Sequence, residues 1–236
     1  MLETRNLTLH YGQSQILWDV DITAATGRVT CLMGTNGVGK TSLLKLLYLA
    51  LKPSQGEVSL FGRPTSRLTR DQLSALRRRV GVVFQEFRLL DHLTAYENVA
   101  LPLRVLGRKE STYRSDVEEL LAWVGLGERM HARPPTLSGG EQQRVAIARA
   151  VVTQPDILIA DEPTGNVDPE MGSRLMRLFL ELNKRRATTV IIATHDLGLV
   201  RQVEAPVFRL QHGLLVQDVE YGPVARRRTD IAKAAE

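Results

Sequence analysis

Short, predominantly apolar runs recur along the chain and predict the buried strands of a mostly parallel sheet. Three such runs cover residues 29–33, 157–160 and 190–193. A strand with two apolar faces is typical of a parallel sheet that helices cover on both sides. Helical stretches at 40–51 and 170–185 accompany these runs, and strand followed by glycine-rich loop and helix is the start of an α/β unit. The pattern therefore predicts an α/β fold.

Two parts of the chain depart from this pattern. Strand-like pieces at 2–10 and 16–22, joined by a turn around Tyr11-Gly12, predict an N-terminal antiparallel β part. The middle of the chain is rich in helix signals, and one helix is predicted to begin at Gly139. The predicted units are a core of residues 1–86 and 153–225, an inserted helical subdomain of residues 87–152, and a basic, polar C-terminal tail of residues 226–236.

Composition and charge narrow the class of protein. The chain has 236 residues, 43% hydrophobic and 24% charged, as expected for a globular protein. No apolar run approaches the roughly 18 residues that cross a bilayer, and the N-terminus lacks a signal-peptide layout, so a cytoplasmic protein is expected. The single cysteine, Cys31, lies in an apolar run and is predicted to be buried.

A net charge of +5 includes three arginine- and lysine-rich clusters at 77–79, 184–186 and 226–228. Such clusters can bind nucleic acid or an anionic membrane surface. The basic residues are spread along the chain among 26 acidic ones, which favours solvated helix faces instead. No nucleic-acid partner is therefore expected, although the tail cluster retains the membrane alternative.

A glycine-rich segment follows the first fully apolar run and precedes a helical stretch. Residues 34–41 match the phosphate-loop pattern G-x-x-x-x-G-K-[ST] in the strand-to-helix context that the pattern requires. Backbone N–H groups of such a loop bind phosphate oxygens, Lys40 approaches the β- and γ-phosphates, and Thr41 offers a hydroxyl to Mg²⁺. We therefore expect a nucleotide with β- and γ-phosphates, together with Mg²⁺, at this loop. The predicted nucleotide contacts are Gly34, Thr35, Asn36, Gly37, Val38, Gly39, Lys40, Thr41 and Ser42.

Two carboxylates, Asp161 and Glu162, end the apolar run 157–160. Ligands of open α/β sheets bind at the carboxyl ends of the strands, so both acids should face the nucleotide. Asp161 suits coordination of Mg²⁺ through water, because this ion favours oxygen ligands and keeps much of its hydration. Glu162 is placed to orient and deprotonate the attacking water.

The segment 137–142, of sequence LSGGEQ, has a local and a functional interpretation. Ser138 and Glu141 have the spacing of a capping box, which explains both residues without a ligand. It does not explain Gly139 and Gly140, because glycine in a first helical turn lowers helix stability relative to alanine. Bare backbone at a positive helix N-terminus allows a phosphate to approach closely. These four residues are therefore predicted nucleotide contacts.

Taken in chain order, these motifs resemble the full set found in ABC-transporter nucleotide-binding subunits. That resemblance implies the P-loop NTPase fold of ABC ATPases. It also implies an ATP-dependent, head-to-tail homodimer, in which the phosphate loop of one copy and Ser138–Gly140 of the other enclose one ATP. The matching positions are the loop 34–41, Gln85, the segment 137–142, Asp161-Glu162, Asp168 and His195.

The same resemblance implies roles for single residues. Tyr11 would stack on adenine, Asp168 would lie across the dimer interface, and His195 would contact the γ-phosphate. Gln85 would reach both Mg²⁺ and the attacking water, and would respond to the membrane partner. The candidate catalytic residues are Lys40, Gln85, Glu162 and His195, and the candidate metal ligands are Thr41, Gln85 and Asp161.

The segment that docks the membrane partner in this family lies between Gln85 and Leu137. Here residues 84–90 (FQEFRLL) and 93–103 (LTAYENVALPL) resemble the cell-division ATPases called FtsE. This implies an FtsX-like integral membrane partner and a peripheral position on the inner face of the cell membrane. The GNVD sequence at 165–168 fits FtsE and is also similar to lipoprotein-release and macrolide-efflux ATPases.

Residues 1 to about 50 resemble a different group, the ATPases of branched-chain amino acid or urea importers. The likeness is carried by 11–17 (YGQSQIL) and 29–40. An ATPase subunit of a transporter with a true cargo is therefore the alternative function. A soluble ABC protein acting on nucleic acid or ribosomes is less favoured, since such proteins usually carry two cassettes and each motif occurs once here.

Overall fold

The computed structural model describes residues 1–165, 167–203 and 205–217; Asn166 and the predicted tail 226–236 lie outside them. The strands in this part of the chain are β1 (Leu2–Tyr11), β2 (Ser14–Val20), β3 (Thr23–Ala24), β4 (Val29–Met33), β5 (Gln55–Leu60), β6 (Arg63–Pro64), β7 (Val80–Val83), β8 (Ile157–Asp161), β9 (Thr189–Thr194), β10 (Val207–Gln211) and β11 (Leu214–Gln217). The α-helices are α1 (Lys40–Leu47), α2 (Arg70–Arg77), α3 (Ala95–Val105), α4 (Arg114–Trp123), α5 (Gly139–Val151), α6 (Pro169–Arg186) and α7 (Leu197–Gln202).

A six-stranded sheet in the order β11-β10-β4-β9-β8-β7 forms the centre of the fold. All neighbours in it are parallel except β10 and β11. Every residue of β4, β8 and β9 is buried, as the apolar runs predict. Within β4, burial raises the pKa of the Cys31 thiol to about 12, so this cysteine behaves as a small core residue.

A second, antiparallel sheet of order β2-β1-β5-β6, with β3 beside β1, confirms the predicted N-terminal β part. Leucines of α1 pack in one core with residues from both sheets, among them Leu43 and Leu46 of the helix, Leu7 of β1 and Ile159 of β8. Helix α1 is thus held between two sheets, which fixes the helix that follows the phosphate loop.

Helix α1 is shorter than predicted, ending at Leu47 instead of residue 51. Leu49 has a left-handed backbone (φ 63°), and the N–H groups of Leu49 and Ala50 return to the carbonyls of Leu46 and Lys45. These bonds form a Schellman motif, which normally uses glycine at the left-handed position. The Arg77 guanidinium donates two hydrogen bonds to the Leu49 carbonyl, at 3.2 and 2.7 Å, and holds this turn.

Helices α3, α4 and α5 lie between β7 and β8 in the chain and have a separate apolar core, which includes Val99, Leu121 and Val145. The region contacts α6 through Trp123, whose ring lies 5.3 Å from the guanidinium carbon of Arg174. Among the described residues, no helix has the length and apolarity that membrane crossing requires.

Candidate functional site: a phosphate cleft at the carboxyl edge of the sheet

The carboxyl ends of the parallel strands bring the predicted chemistry together. Met33 of β4 is in register with Thr194 of β9, and Ala193 is in register with Asp161 of β8. The loops that leave these strands border a cleft of about 300 Å³. The cleft is lined by Asn36, Gly37, Gly39, Lys40, Thr41, Ser42, Gln85, Asp161 and Glu162.

The phosphate loop depends on glycine for its shape. Gly39 is the N-cap of α1 with φ 110°, and Gly37 has φ 79°, both in the left-handed region that a Cβ disfavours. A Cβ at Gly34 would come within 2.9 Å of the Leu210 carbonyl. The first turn of α1 carries no acidic residue, so its positive N-terminus is available to an anion.

Lys40 is buried at the centre of the cleft, with 6% of the residue exposed. Its ammonium donates hydrogen bonds to the carbonyls of Gly34 (2.7 Å) and Thr35 (3.2 Å). It also lies 3.3 Å from Oε1 of Glu162. A buried lysine requires such partners, and these place its charge against the loop that is predicted to hold phosphate.

Thr41 and Asp161 form a second pair in the cleft. The Thr41 hydroxyl donates to Oδ2 of Asp161 at 2.7 Å, while Oδ1 is buried without a hydrogen-bond partner among the described residues. Burial raises the pKa of Asp161, and the hydrogen bond from Thr41 acts in the opposite direction. A buried, unsatisfied carboxylate oxygen beside a hydroxyl is a donor set suited to a hard divalent cation.

Glu162 presents an acceptor that can take a proton. Its backbone is left-handed (φ 48°) and is held by a hydrogen bond from its N–H to the Ala193 carbonyl. Oε1 lies 3.0 Å from Nδ1 of His195, yet it has no partner with hydrogen-bond geometry among the described residues. The arrangement therefore offers a buried carboxylate oxygen, flanked by His195 and Lys40, to a water in the cleft.

Gln85 lies in the cleft at the exposed start of a loop that the rest of the fold restrains closely. We define the Gln85 loop as residues 84–90. The Arg149 guanidinium of α5 donates to the carbonyls of Phe87 and Arg88, at 2.6 Å each. Burial lowers the pKa of Arg149 to about 10, so it remains charged at neutral pH. Sequence reasoning missed this residue, although a lone arginine in the apolar run 145–152 was a usable signal.

The structure does not place all predicted site residues in the cleft. Tyr11 is exposed at the end of β1. Ser138 caps α5 in a capping box with Glu141, and the hydrogen bond from the Ser138 N–H helps to lower the pKa of the Glu141 carboxyl. Asp168 caps α6 by accepting from Met171 N at 2.9 Å. The residues that line the cleft do not include the following predicted site residues, whose nucleotide roles stay predictions: Tyr11, Gly34, Thr35, Val38, Ser138, Gly139, Gly140, Glu141, Asp168 and His195.

The fold and the cleft define a P-loop ATPase, since a phosphate loop, a buried lysine and two strand-end carboxylates converge at one edge of a parallel sheet. The pattern of the family described as "ABC transporter" matches residues 17–165. The chain therefore belongs to the ABC transporter family and is an ATP-binding, ATP-hydrolysing cassette of that family.

Curated relatives and solved structures agree with this family. The chain is 38% identical over 203 residues to the cell division ATP-binding protein FtsE of Bacillus subtilis, covering 86% of this chain and 89% of the relative. It is also 38% identical over 221 residues to the methionine import ATP-binding protein MetN of Symbiobacterium thermophilum, covering 92% and 67%. A dimeric ATP-binding cassette, MJ0796, in a post-hydrolysis state with ADP and Pi, superimposes with a TM-score of 0.86 at 34% identity, covering 92% of this chain and 98% of that chain.

Proposed function

We propose that the chain is an FtsE-like ATPase, acting with an FtsX-like membrane protein in cell division. Two copies assemble head-to-tail around two ATP molecules, and this dimer sits on the inner, cytoplasmic face of the membrane through its partner. The observation that carries the partner proposal is an apolar groove beside the Gln85 loop. The division into a core, a helical subdomain (87–152) and a tail (226–236) is part of the same proposal.

The nucleotide chemistry follows from the cleft. The phosphate loop and Lys40 bind the β- and γ-phosphates, and Glu162 accepts a proton from the water that attacks the γ-phosphorus. His195, whose Nδ1 lies 3.0 Å from the same carboxylate oxygen, contacts the γ-phosphate. Ser138 and Gly139 of the second copy bring a helix N-terminus to the same phosphate and stabilise the charge that develops on it. Tyr11 stacks on adenine, and Asp168 lies at the dimer interface.

A magnesium ion fits the donor set of the cleft. Thr41 and Gln85 provide neutral oxygens, and the buried Oδ1 of Asp161 has no hydrogen-bond partner among the described residues. When bound, the ion would neutralise charge on the β- and γ-phosphates. These oxygens suit Mg²⁺ because it takes oxygen ligands and retains several waters.

Replacing Asp161 with Asn is expected to raise the free Mg²⁺ concentration that half-saturates ATPase activity by about 10- to 100-fold. In the wild type that concentration should also rise on acidification, because the raised pKa of Asp161 lets protons compete with the metal. Titration of activity with Mg²⁺ at several pH values measures both effects. Comparing the pH dependence of the half-saturating Mg²⁺ concentration in the wild type and in Asp161→Asn gives the contribution of this carboxylate. Asp156→Asn, at the exposed residue that immediately precedes β8, is the matched control. Equal Mg²⁺ requirements in the three proteins would exclude Asp161 from the metal site.

The groove that we assign to the membrane partner lies between β7, α3 and α5 and has a volume of about 330 Å³. Val105 and Leu106 at the end of α3 line this groove and are 68% and 39% exposed, and exposed apolar side chains grouped at a groove can mark an interaction site. Phe84 and Arg149 also line the groove, so a segment bound there would contact the Gln85 loop directly. An amphipathic helix could lie across this groove and insert the side chains of its apolar face.

The groove indicates where a partner binds, whereas the identity of that partner is inferred from sequence likeness. Residues 84–103 resemble FtsE, and the B. subtilis protein of that name is a relative at 38% identity. The MetN protein of S. thermophilum is a relative at the same identity, and its name as a methionine import protein supports the alternative of a transporter ATPase with a true cargo. We favour the FtsE-like function because the likeness lies in the segment that borders the groove.

Affinity purification of tagged Glu162→Gln protein from its native membranes with ATP, followed by mass spectrometry, tests the proposed partner. We expect an FtsX-like membrane protein to be captured. Val105→Asp should abolish capture by placing a charge in the groove, whereas Leu214→Asp, at an exposed site on β11, should retain it. A many-span permease would instead establish the transporter alternative, and soluble partners alone would favour nucleic acid or ribosomes.

A further inference from the structure

The Gln85 loop is held in an unfavourable backbone conformation. Phe87 and Arg88 are consecutive residues with φ of 56° and 52°, in the left-handed region that a Cβ disfavours. Such a conformation persists only when the surrounding structure enforces it. The contacts that enforce it here therefore determine where Gln85 lies.

Arg149 provides the main contact of this kind. Its two terminal nitrogens donate separately to the carbonyls of Phe87 and Arg88, at 2.6 Å each. Among the described residues, Arg149 forms no ion pair with a carboxylate. Its planar guanidinium therefore binds the backbone of the Gln85 loop and no acidic side chain in this part of the chain. A lysine in its place would retain the charge but not the planar two-point geometry.

Further contacts make the loop a restrained unit. The Arg88 guanidinium stacks 4.5 Å from the centre of the Phe84 ring, which meets the Tyr48 ring edge-on at 5.8 Å. At the other end of the loop, the buried side chain of Asn98 accepts from Leu90 N and donates to Leu90 O. Gln85 lies between these fixed points, so displacement of Phe87 and Arg88 displaces Gln85 as well.

Arg149 belongs to the helix that begins at the predicted cross-dimer contact. Arg149 lies eleven positions after Ser138, the N-cap of α5, which is a distance of roughly 16 Å along one continuous helix. The N-terminus of α5 is assigned to the ATP bound by the second copy, whereas the Gln85 loop borders the ATP cleft of the same copy. One rigid element thus joins both nucleotide sites.

We infer that Arg149 is a positioning residue that fixes the Gln85 loop and links its position to the N-terminus of α5. This inference rests on the proposed dimer only for the role of that N-terminus. Arg149 itself does not line the ATP cleft. Its loss should therefore impair the chemical step through Gln85 while ATP binding at the phosphate loop continues.

The test is a double-mutant cycle on the full chain, with Arg149→Lys and Gln85→Ala alone and combined. We expect Arg149→Lys to lower kcat by about 10- to 100-fold, as small misplacements of catalytic groups do, with the Kd for ATP changed by less than about threefold. In the Gln85→Ala background, Arg149→Lys should lower kcat little further, because both substitutions act on kcat through the same residue, Gln85. Arg114→Lys, at an exposed ion pair with Glu110 on α4, is the control and should leave kcat unchanged.

Fully additive effects on kcat, an unchanged kcat, or a loss of ATP affinity parallel to the loss of turnover would each overturn the inference. Arg149→Met serves as a second variant, and thermal unfolding of each protein separates misfolding from misplacement of the loop. A separate experiment, dimerisation of Glu162→Gln, detects failure of the proposed function. A Glu162→Gln protein that stays monomeric with ATP contradicts the dimer without changing the outcome of the cycle.

Discussion

Replacement of Glu162 by Gln is expected to lower ATP turnover by about 10²- to 10⁴-fold, the range for removal of a general base. The amide preserves the shape of the side chain but cannot accept a proton from the attacking water. ATP binding should persist, because the phosphate loop and Lys40 are unchanged. The unhydrolysed nucleotide should then hold two copies together, since ligand that binds only the dimer stabilises it by mass action.

Two measurements on the same sample check this prediction: steady-state phosphate release, and the molar mass in solution with and without ATP. The expected result is a dimer that forms only with ATP. Glu119→Gln, an exposed glutamate on α4, is the matched control and should behave as wild type in both assays. Near wild-type turnover in Glu162→Gln would show that Glu162 is not the general base.

A charge at Gly139 should strongly lower ATP turnover without destabilising the folded monomer. An added Cβ at this position has no heavy atom within 4 Å, so the chain itself has room for a side chain. The position is the first residue of α5, where an aspartate even interacts favourably with the helix dipole. In the proposed dimer, the same carboxylate would face the phosphates of the other copy. We expect Gly139→Asp to lower turnover by about 10²- to 10³-fold, comparable to the loss of a transition-state contact.

Urea unfolding and ATP binding to the monomer report on the fold, whereas turnover reports on the assembled dimer. Only turnover and ATP-dependent dimerisation should change in Gly139→Asp. Gly127→Asp is the control, because a Cβ there meets only Ala122 at ordinary contact distances of 3.5 and 3.6 Å. Wild-type turnover in Gly139→Asp would show that the start of α5 does not approach a nucleotide.

The sequence was informative wherever a local pattern determines structure. The strands β4, β8 and β9 were predicted from apolar runs, and the glycine-rich loop from a motif whose residues are required by backbone geometry. Asp161 and Glu162 were placed correctly because parallel strands bring their carboxyl ends to one edge. These features account for the residues that line the ATP cleft except Gln85, which was identified only from the family resemblance. The distances within the cleft were not predicted.

Features that depend on distant contacts were not predicted. The end of α1 was wrong by four residues, because a leucine occupies the left-handed position and Arg77, 28 residues away, binds its carbonyl. The hydrogen bonds from Arg149 to the Gln85 loop span about 60 residues of sequence. The cross-dimer roles of Ser138, Gly139 and Asp168 involve a second chain, so the fold of one chain leaves them as predictions.

The contact between Trp123 and Arg174 has a practical consequence for following the catalytic cycle by optical methods. Trp123 ends α4, whereas Arg174 belongs to α6, so the pair spans the boundary between the helical region and the parallel sheet. The sequence contains only one other tryptophan, Trp18, on the antiparallel sheet. With Trp18 changed to Phe, indole emission would come from a single side chain under the field of a nearby cation. A rotation of α3–α5 against α6 during nucleotide binding would then shift the wavelength of maximum fluorescence emission in an otherwise unlabelled protein.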